Sequence, residues 1–429
     1  MNRFYWGLAS SAFQTEGYIQ NDMTEWEALG GFRQDGKNPI YRHGAAHWQR
    51  WQQDFKLLQK IGVNAYRFSM EWARIQPEFD CFDHKALDQY ERMLDRLLGL
   101  KIEPFLTLHH FTHPAWFHAQ TPWVSDKAQE TFCRYADVLL ERFGDRINYW
   151  ITFNEPLVWA LAAYGDAKFP PGKNNLNDMM LVVKNILQTH SCLYRRIKSA
   201  LPLAQVGMAK HFIIFAPRRK WLAADRKLAD LLHSFFNEMV PRAFKSNRLK
   251  FRFPFLFSFD EPVALNNQVD FWGVNYYYRM LAAIRMNFRR PIGFDFKNIS
   301  GEGLTDMGWE IYSEGLLRIL KQVAAYGKDI YITENGIATT DDARRIRFMD
   351  AHIQKTLKAE QMGVPVRGYF YWSFLDNYEW LEGNSKRFGL VHVDYRQDFA
   401  RSLKPSAAHY ARLIQIDTTK RKSLELKKF

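Results

Sequence analysis

Eight runs of β-branched and aromatic residues, each followed by a stretch with helical periodicity, constrain this chain more than any other feature of its sequence. The runs are Phe4–Ser11, Ala65–Met70, Glu103–His109, Asn148–Asn154, Ala204–Phe212, Val269–Tyr277, Asp329–Asn335 and Val366–Phe374. Several are almost continuously apolar, as strands buried on both faces of a parallel sheet are. Between them, Trp48, Trp51, Phe55 and Leu58 recur at helical spacing and stop at Gly62. Leu87, Tyr90, Leu94 and Leu97 stop at Gly99, and Phe132, Ala136, Leu139 and Phe143 stop at Gly144. A longer stripe, Val183, Leu187, His190, Tyr194 and Ile197, makes His190 a core histidine rather than a ligand. Eightfold alternation of strand and helix predicts an α/β fold, a parallel sheet closed into a (β/α)8 TIM barrel. No linker rich in Pro, Gly or Ser divides the chain, so residues 1–429 read as a single domain with a frayed basic tail at about 417–429. The weakly patterned stretch from Tyr278 to Trp309 reads as a loop over the top of the barrel.

Charge and cysteine usage narrow the class. The net charge of +13 is spread along the chain, with small clusters at Arg218-Arg219-Lys220, at Arg289-Arg290 and in the tail from Lys420 to Lys428. A basic balance attracts acidic partners, but no recognisable nucleic-acid module accompanies it. A basic solvated surface is the reading adopted, and no nucleic-acid partner is expected. Three cysteines, at 81, 133 and 192, fit neither a metal site nor a disulfide framework. They suit a reducing compartment, and the chain begins without an apolar leader, so a cytoplasmic location is expected. No apolar stretch is long enough to insert in a membrane. Aromatics reach 16%, with 14 Trp, an excess that serves either a large core or the stacking faces of a sugar site.

Barrels of this kind place their chemistry at the C-terminal ends of the strands. Gln14 follows the first run, and Arg67 lies in the second. His109-His110 ends the third, and Asn154-Glu155 ends the fourth. The sixth carries Asn275 and Tyr277, the seventh ends in Glu334-Asn335, and the eighth contains Trp372. Glu155 and Glu334 each close an apolar strand, where desolvating a carboxylate is costly without a partner or a task. Two such groups are what cleavage of a glycosidic bond requires. A metal or cofactor is not called for.

The motifs around these residues are specific. They include Ser11-Ala12-Phe13-Gln14-Thr15-Glu16-Gly17, Tyr66-Arg67-Phe68-Ser69 and Thr152-Phe153-Asn154-Glu155-Pro156. Later come Asp270-Phe271-Trp272-Gly273-Val274-Asn275-Tyr276-Tyr277, Met307-Gly308-Trp309-Glu310 and Ile332-Thr333-Glu334-Asn335-Gly336. Trp372-Ser373-Phe374-Leu375-Asp376-Asn377-Tyr378-Glu379-Trp380 and Ser385-Lys386-Arg387-Phe388-Gly389-Leu390 complete the set. From Trp6 to about Tyr410 the chain resembles glycoside hydrolase family 1, the β-glucosidase and β-galactosidase family. The resemblance implies a retaining β-glycosidase that releases terminal non-reducing β-D-glycosyl residues, acting on small β-glycosides or oligosaccharides. It makes Glu155 the acid/base and Glu334 the nucleophile, with Arg67 and Tyr277 hydrogen-bonded to the nucleophile. Asn154 and Asn275 would hold the hydroxyl beside the reacting carbon. Gln14, His110, Glu379 and Trp380 would grip the other hydroxyls, Trp372 would floor the ring, and Trp309 would wall the aglycone site. It also implies a cis peptide at Trp372-Ser373. Arg67 is then expected to lower the pKa of Glu334, and the charge of Glu334 to raise that of Glu155.

Leu157, Phe111-Thr112-His113-Pro114 and Asn384 depart from the commonest family pattern and are expected at the aglycone side and rim. Two alternatives stand beside the main reading. A 6-phospho-β-glycosidase would suit the positive charge, but such relatives typically carry Ser where this chain has Glu379. A non-catalytic sugar-binding relative would usually have lost one of the two carboxylates, and both are present. A thioglucosidase typically has Gln in place of the acid/base. The sequence does not separate glucose from galactose or fucose, and it sets no oligomeric state.

Overall fold

A computed structural model describes residues 4–32, 43–253, 257–285 and 292–426. Arg289-Arg290 and the last three residues of the basic tail lie outside them. Eight parallel strands form the barrel: β1 (Tyr5–Ala9), β2 (Ala65–Ser69), β3 (Glu103–His109), β4 (Tyr149–Asn154), β5 (Gln205–Pro217), β6 (Phe271–Ile284), β7 (Asp329–Asn335) and β8 (Val366–Trp372). Each pairs with the next. The ring closes where β8 pairs with β1 through Leu8 and Tyr371, and β6 pairs with β7 through Asp329 and Phe271. The TIM barrel expected from the alternation is the fold observed.

The outer helices form where apolar residues repeat on one face. In the helix His84–Gly99, Leu87, Tyr90, Leu94 and Leu97 are buried, and the Asp83 side chain accepts from the amides of Lys85 and Ala86 to cap its start. The helix His47–Ile61 ends at Gly62, whose φ of 79° is the left-handed conformation that favours glycine. His190 lies in the helix Leu176–Ala200, bonded to Thr152 Oγ1 and to the Gln268 carbonyl, and is a core histidine.

Most of the aromatic excess is core. Trp6, Trp72, Trp123, Trp150, Trp159 and Trp272 are fully buried. The lower barrel interior is filled by rings, with Phe105 stacked on Tyr149 at 4.1 Å and Tyr331 and Phe370 against them. That plug leaves only the upper end of the barrel for a cavity.

Two expectations are corrected. The stretch from Tyr278 begins not as a loop but as strand. Past the barrel rim β5 and β6 stay paired from Ile214–Arg279 to Pro217–Ala282, and Leu281–Ile284 pairs antiparallel with Ile292–Asp295. Arg279 interrupts the apolar run in sequence, but its guanidinium lies 2.7 Å from both oxygens of Glu310, so the charge does not end the strand. The tail is not frayed from residue 417. The helix Pro405–Leu426 runs through it, with Asp417 accepting from the Trp6 indole and Arg421 paired to Glu360. Among the described residues no helix is long and apolar enough to cross a membrane.

Candidate active site

The upper end of the barrel opens into a cleft of about 630 Å³. Its lining includes Gln14, His110, Asn154, Glu155, Tyr277, Trp309, Glu334, Trp372, Glu379 and Trp380. Ten of the twelve residues singled out from the sequence therefore face one cavity, and the other two, Arg67 and Asn275, lie just beneath it.

Arg67 organises the floor. It is fully buried in β2, with Nη1 on Glu334 Oε1 at 2.5 Å and Nη2 on Asn154 Oδ1 at 2.6 Å. Tyr277 donates its hydroxyl to the other oxygen of Glu334 at 2.6 Å. Asn275 is held by Thr333 Oγ1 at 2.6 Å and donates Nδ2 to Glu155 Oε1 at 2.7 Å and to Asn154 Oδ1 at 3.1 Å. The two carboxylates thus belong to one hydrogen-bonded network spanning β2, β4, β6 and β7. Backbone conformation serves the placement. Glu155 takes the left-handed φ of 45° at the turn from β4 into the short helix Pro156–Ala160, a conformation that costs a non-glycine residue about 1–3 kcal/mol. Pro156, at the first turn of that helix, loses no hydrogen bond there. After Glu334-Asn335, a Cβ on Gly336 would stand 1.7 Å from the Trp372 carbonyl, so the loop leaving β7 passes there only as glycine.

The remaining groups interlock around the floor. His110 stacks on Trp372, with 5.8 Å between centroids and 17° between planes, and Asn154 Nδ2 lies 3.2 Å from its Nε2. Trp372-Ser373 is cis. Gln14 Nε2 and Asn377 Nδ2 both donate to Glu379 Oε2, at 3.2 and 3.0 Å, which leaves Oε1 for a ligand. Trp380 stacks on Phe13, and Trp309 packs against Tyr277 and Tyr278.

The electrostatics differ from the expectation. Burial raises Glu334, Arg67 lowers it, the nearby charge of Glu155 raises it again, and the result is about 7. Burial pushes Glu155 up as well, but the His211 imidazole, its hydrogen bond, Asn275 and Arg67 together bring it below the ordinary carboxylate value. Burial and the two neighbouring carboxylates lift Glu379 to about 8, against the hydrogen bond from Asn377. The order expected for Glu155 and Glu334 is reversed. Its cause is His211 on β5, whose Nδ1 lies 3.0 Å from Glu155 Oε1. The sequence reading took no site residue from the fifth run. The signal was there: Lys210-His211 interrupts Met208-Ala209 and Phe212-Ile213-Ile214 at the barrel end of the strand.

The departures from the family pattern divide, some lining the cleft and some lying outside its lining. Phe111 lines the cleft. Leu157 is buried outside the lining, and Thr112 donates to Glu71 beneath it. His113 Nε2 accepts from Trp123 Nε1, so Nδ1 carries the proton that meets Asp22 Oδ2 at 2.8 Å. His118 Nε2 meets the same oxygen at 2.9 Å. Asp22, His113 and His118 have the donor set of a metal cluster, but their atoms are engaged in hydrogen bonds to one another. Residues beyond the rim also line the cleft: Phe215 and Met280 of the extended ribbon, Leu232, Phe235 and Phe236 of the crossover, and Phe294.

A closed parallel barrel with two buried carboxylates at the ends of β4 and β7, linked through Arg67 and two asparagines, defines a glycoside hydrolase. The glycosyl hydrolase family 1 model matches residues 1–419, and the chain belongs to that family. The 1,4-beta-D-glucan glucohydrolase of Thermotoga neapolitana is 34% identical over 96% of this chain and 97% of its own length. Beta-glucosidase A of Thermotoga maritima is 33% identical over the same shares. Among solved structures, a beta-glycosidase from Pyrococcus horikoshii superposes with a TM-score of 0.87 at 35% identity, covering 96% of this chain and 93% of that one. The Thermotoga maritima beta-glucosidase in complex with castanospermine gives 0.85 at 31% identity, covering 96% and 97%.

Proposed function

We propose that the protein is a retaining β-glucosidase that also accepts β-galactosides and β-fucosides, with the chain acting as one catalytic domain and without a cofactor. The observation that carries this reading is the shared network of Glu155 and Glu334, with opposite surroundings. Glu334 receives a guanidinium and a phenol, donors suited to a nucleophile that must be ionised and fixed in place. Glu155 receives its bonds on Oε1, and no described residue donates to Oε2, which is left to hand a proton to the leaving oxygen. In the first step Glu334 attacks the anomeric carbon while the glycosidic bond breaks and its oxygen takes the Glu155 proton. In the second, Glu155 removes a proton from water as the water oxygen bonds to the anomeric carbon, and the electron pair returns to Glu334. The first step requires the proton on Glu155 and the ionised form of Glu334.

Gln14, His110, Asn154, Glu379 and Trp380 then hold sugar hydroxyls, Asn275 braces the site from beneath, Trp372 lies under the ring, and Trp309 stands at the aglycone. Structures of the Thermotoga maritima beta-glucosidase with castanospermine and with glucoimidazole support a sugar-shaped ligand. A phosphorylated sugar is disfavoured. Glu379 occupies the hydroxyl-binding end, and Lys386 is spent on the Asp306 carbonyl. Three free thiols suit a reducing cytoplasm. The test is a panel of p-nitrophenyl β-D-glucoside, galactoside, fucoside and 6-phosphoglucoside, with the anomer of the first-formed sugar read by NMR. The reading expects hydrolysis of the unphosphorylated sugars with the β-anomer released first. Preference for the phosphorylated sugar, or α-anomer first, contradicts it.

A further inference from the structure

Lys210 and His211 stand side by side at the barrel end of β5 and face opposite ways. Lys210 Nζ turns outward, to the carbonyls of His211 and Phe236. His211 turns into the cleft. Its ring has little freedom: it stacks on Tyr277 at 17° and 5.7 Å, meets Phe236 edge-on at 5.8 Å, and has Tyr278 at 5.5 Å. Its Nδ1 reaches Glu155 Oε1, while its Nε2 is buried with no hydrogen-bond partner. A buried polar atom left unpaired costs about 1–3 kcal/mol. The aromatic packing alone would be served by phenylalanine, which carries no such cost. The imidazole is therefore held for what Nδ1 does.

We propose that His211 is a positioning residue for the proposed acid/base: its Nδ1–H and the Asn275 amide hold Oε1 of Glu155, aim Oε2 at the glycosidic oxygen, and stabilise the carboxylate left after proton transfer. The inference rests on the reading of Glu155 as acid/base. In glycosylation the proton passes from Glu155 Oε2 to the leaving oxygen, and the new negative charge falls on a carboxylate already bonded twice at Oε1. In deglycosylation the same two donors favour the ionised form that must take a proton from water. The position of Glu155 below the ordinary carboxylate range agrees with this placement. The other ionisable groups around the pair come from every neighbouring strand. Arg67 and Glu334 face Glu155 across the floor, Tyr277 and Tyr278 flank the imidazole, Glu379 lies at the far end of the pocket, and Lys210 shares the strand.

The test is the pH dependence of kcat/KM for the wild type, His211→Asn and His211→Phe on a glucoside with a poor leaving group. The limbs of that profile belong to Glu155 and Glu334 as a coupled pair, and Glu155, the group held low, sets the acid limb. Removing a donor from the carboxylate raises its pKa, so the limb moves to higher pH, by about one unit in His211→Phe. It moves less in His211→Asn, which keeps an amide donor and preserves a polar side chain should the phenylalanine variant fold poorly. On a dinitrophenyl glucoside, whose departure needs no proton, the same variants are slowed in breakdown of the covalent intermediate. Profiles of lower amplitude with both limbs at wild-type positions would reduce His211 to a packing residue and overturn the proposal. If Glu155→Ala slows the dinitrophenyl glucoside as much as the glucoside with a poor leaving group, it is the assignment of Glu155 that fails.

Discussion

The two ends of the cleft are built on different plans. At the closed end every polar side chain is held by another: Gln14 and Asn377 on Glu379, Arg67 on Glu334 and Asn154, Thr333 on Asn275. At the open end the wall toward the β5–β6 ribbon is Phe215, Leu232, Phe235, Met280 and Phe294, and the opposite wall carries Asp166 and Lys168, 3.3 Å apart and paired to each other. Recognising a sugar by its hydroxyls needs donors and acceptors fixed to within a fraction of an ångström, which strand ends in a rigid barrel supply. Covering an apolar aglycone needs only surface removed from water. Surface of that kind can come from a ribbon and a crossover helix outside the barrel.

The comparison breaks most readily at Glu379. It has one oxygen anchored, and burial with two neighbouring carboxylates lifts it to about 8, which favours the protonated form that can donate as well as accept. Glu379→Ser leaves the hydroxyls it served unpaired in a buried site, a cost of about 1–3 kcal/mol or roughly 5- to 150-fold in kcat/KM. The loss should appear with glucosides of every aglycone. If kcat/KM on p-nitrophenyl β-D-glucoside stays at the wild-type value, the closed end is not organised around Glu379.

A smaller effect sharpens the other half. Across methyl, butyl, hexyl and octyl β-D-glucosides, kcat/KM should climb, each buried methylene contributing up to about fourfold. The slope should flatten in Phe235→Ser. A faster rate on cellobiose than on octyl glucoside would mean that the open end serves a second sugar.

The two ends also differed in how far the sequence revealed them. The closed end was legible where a polar residue lies inside or at the end of an apolar run, since a Glu, Asn or Arg there conflicts with burial unless it is paired. Glu155, Glu334, Arg67 and Asn275 all announced themselves in that way. His211 carries the same signal, a polar residue within the apolar run of β5. The open end was illegible for a physical reason: Phe215, Met280 and Phe294 look like any other core residues, and the ribbon's continuation past the rim brings them to the cleft. Arg279 hid that continuation, since its neutralisation by Glu310 depends on a contact 31 residues away. The same blindness to pairing made Thr112 and His113 look like rim residues, when Glu71 and Asp22 hold them beneath the cleft.

The central claim is the division of labour between Glu155 and Glu334, and azide capture tests it most directly. Glu334→Gly removes the nucleophile, so hydrolysis of every substrate collapses, and azide entering the vacated space attacks the anomeric carbon to give an α-glucosyl azide. Glu155→Ala spares the first step for a dinitrophenyl glucoside, whose leaving group scarcely needs a proton. The covalent intermediate on Glu334 then accumulates for want of a base, and azide attacking it from the opposite face gives a β-glucosyl azide. The measurement is the anomeric configuration of the azide from each variant, read by NMR. Opposite anomers, α from Glu334→Gly and β from Glu155→Ala, are the predicted result. The same anomer from both, or β from Glu334→Gly, would contradict the assignment.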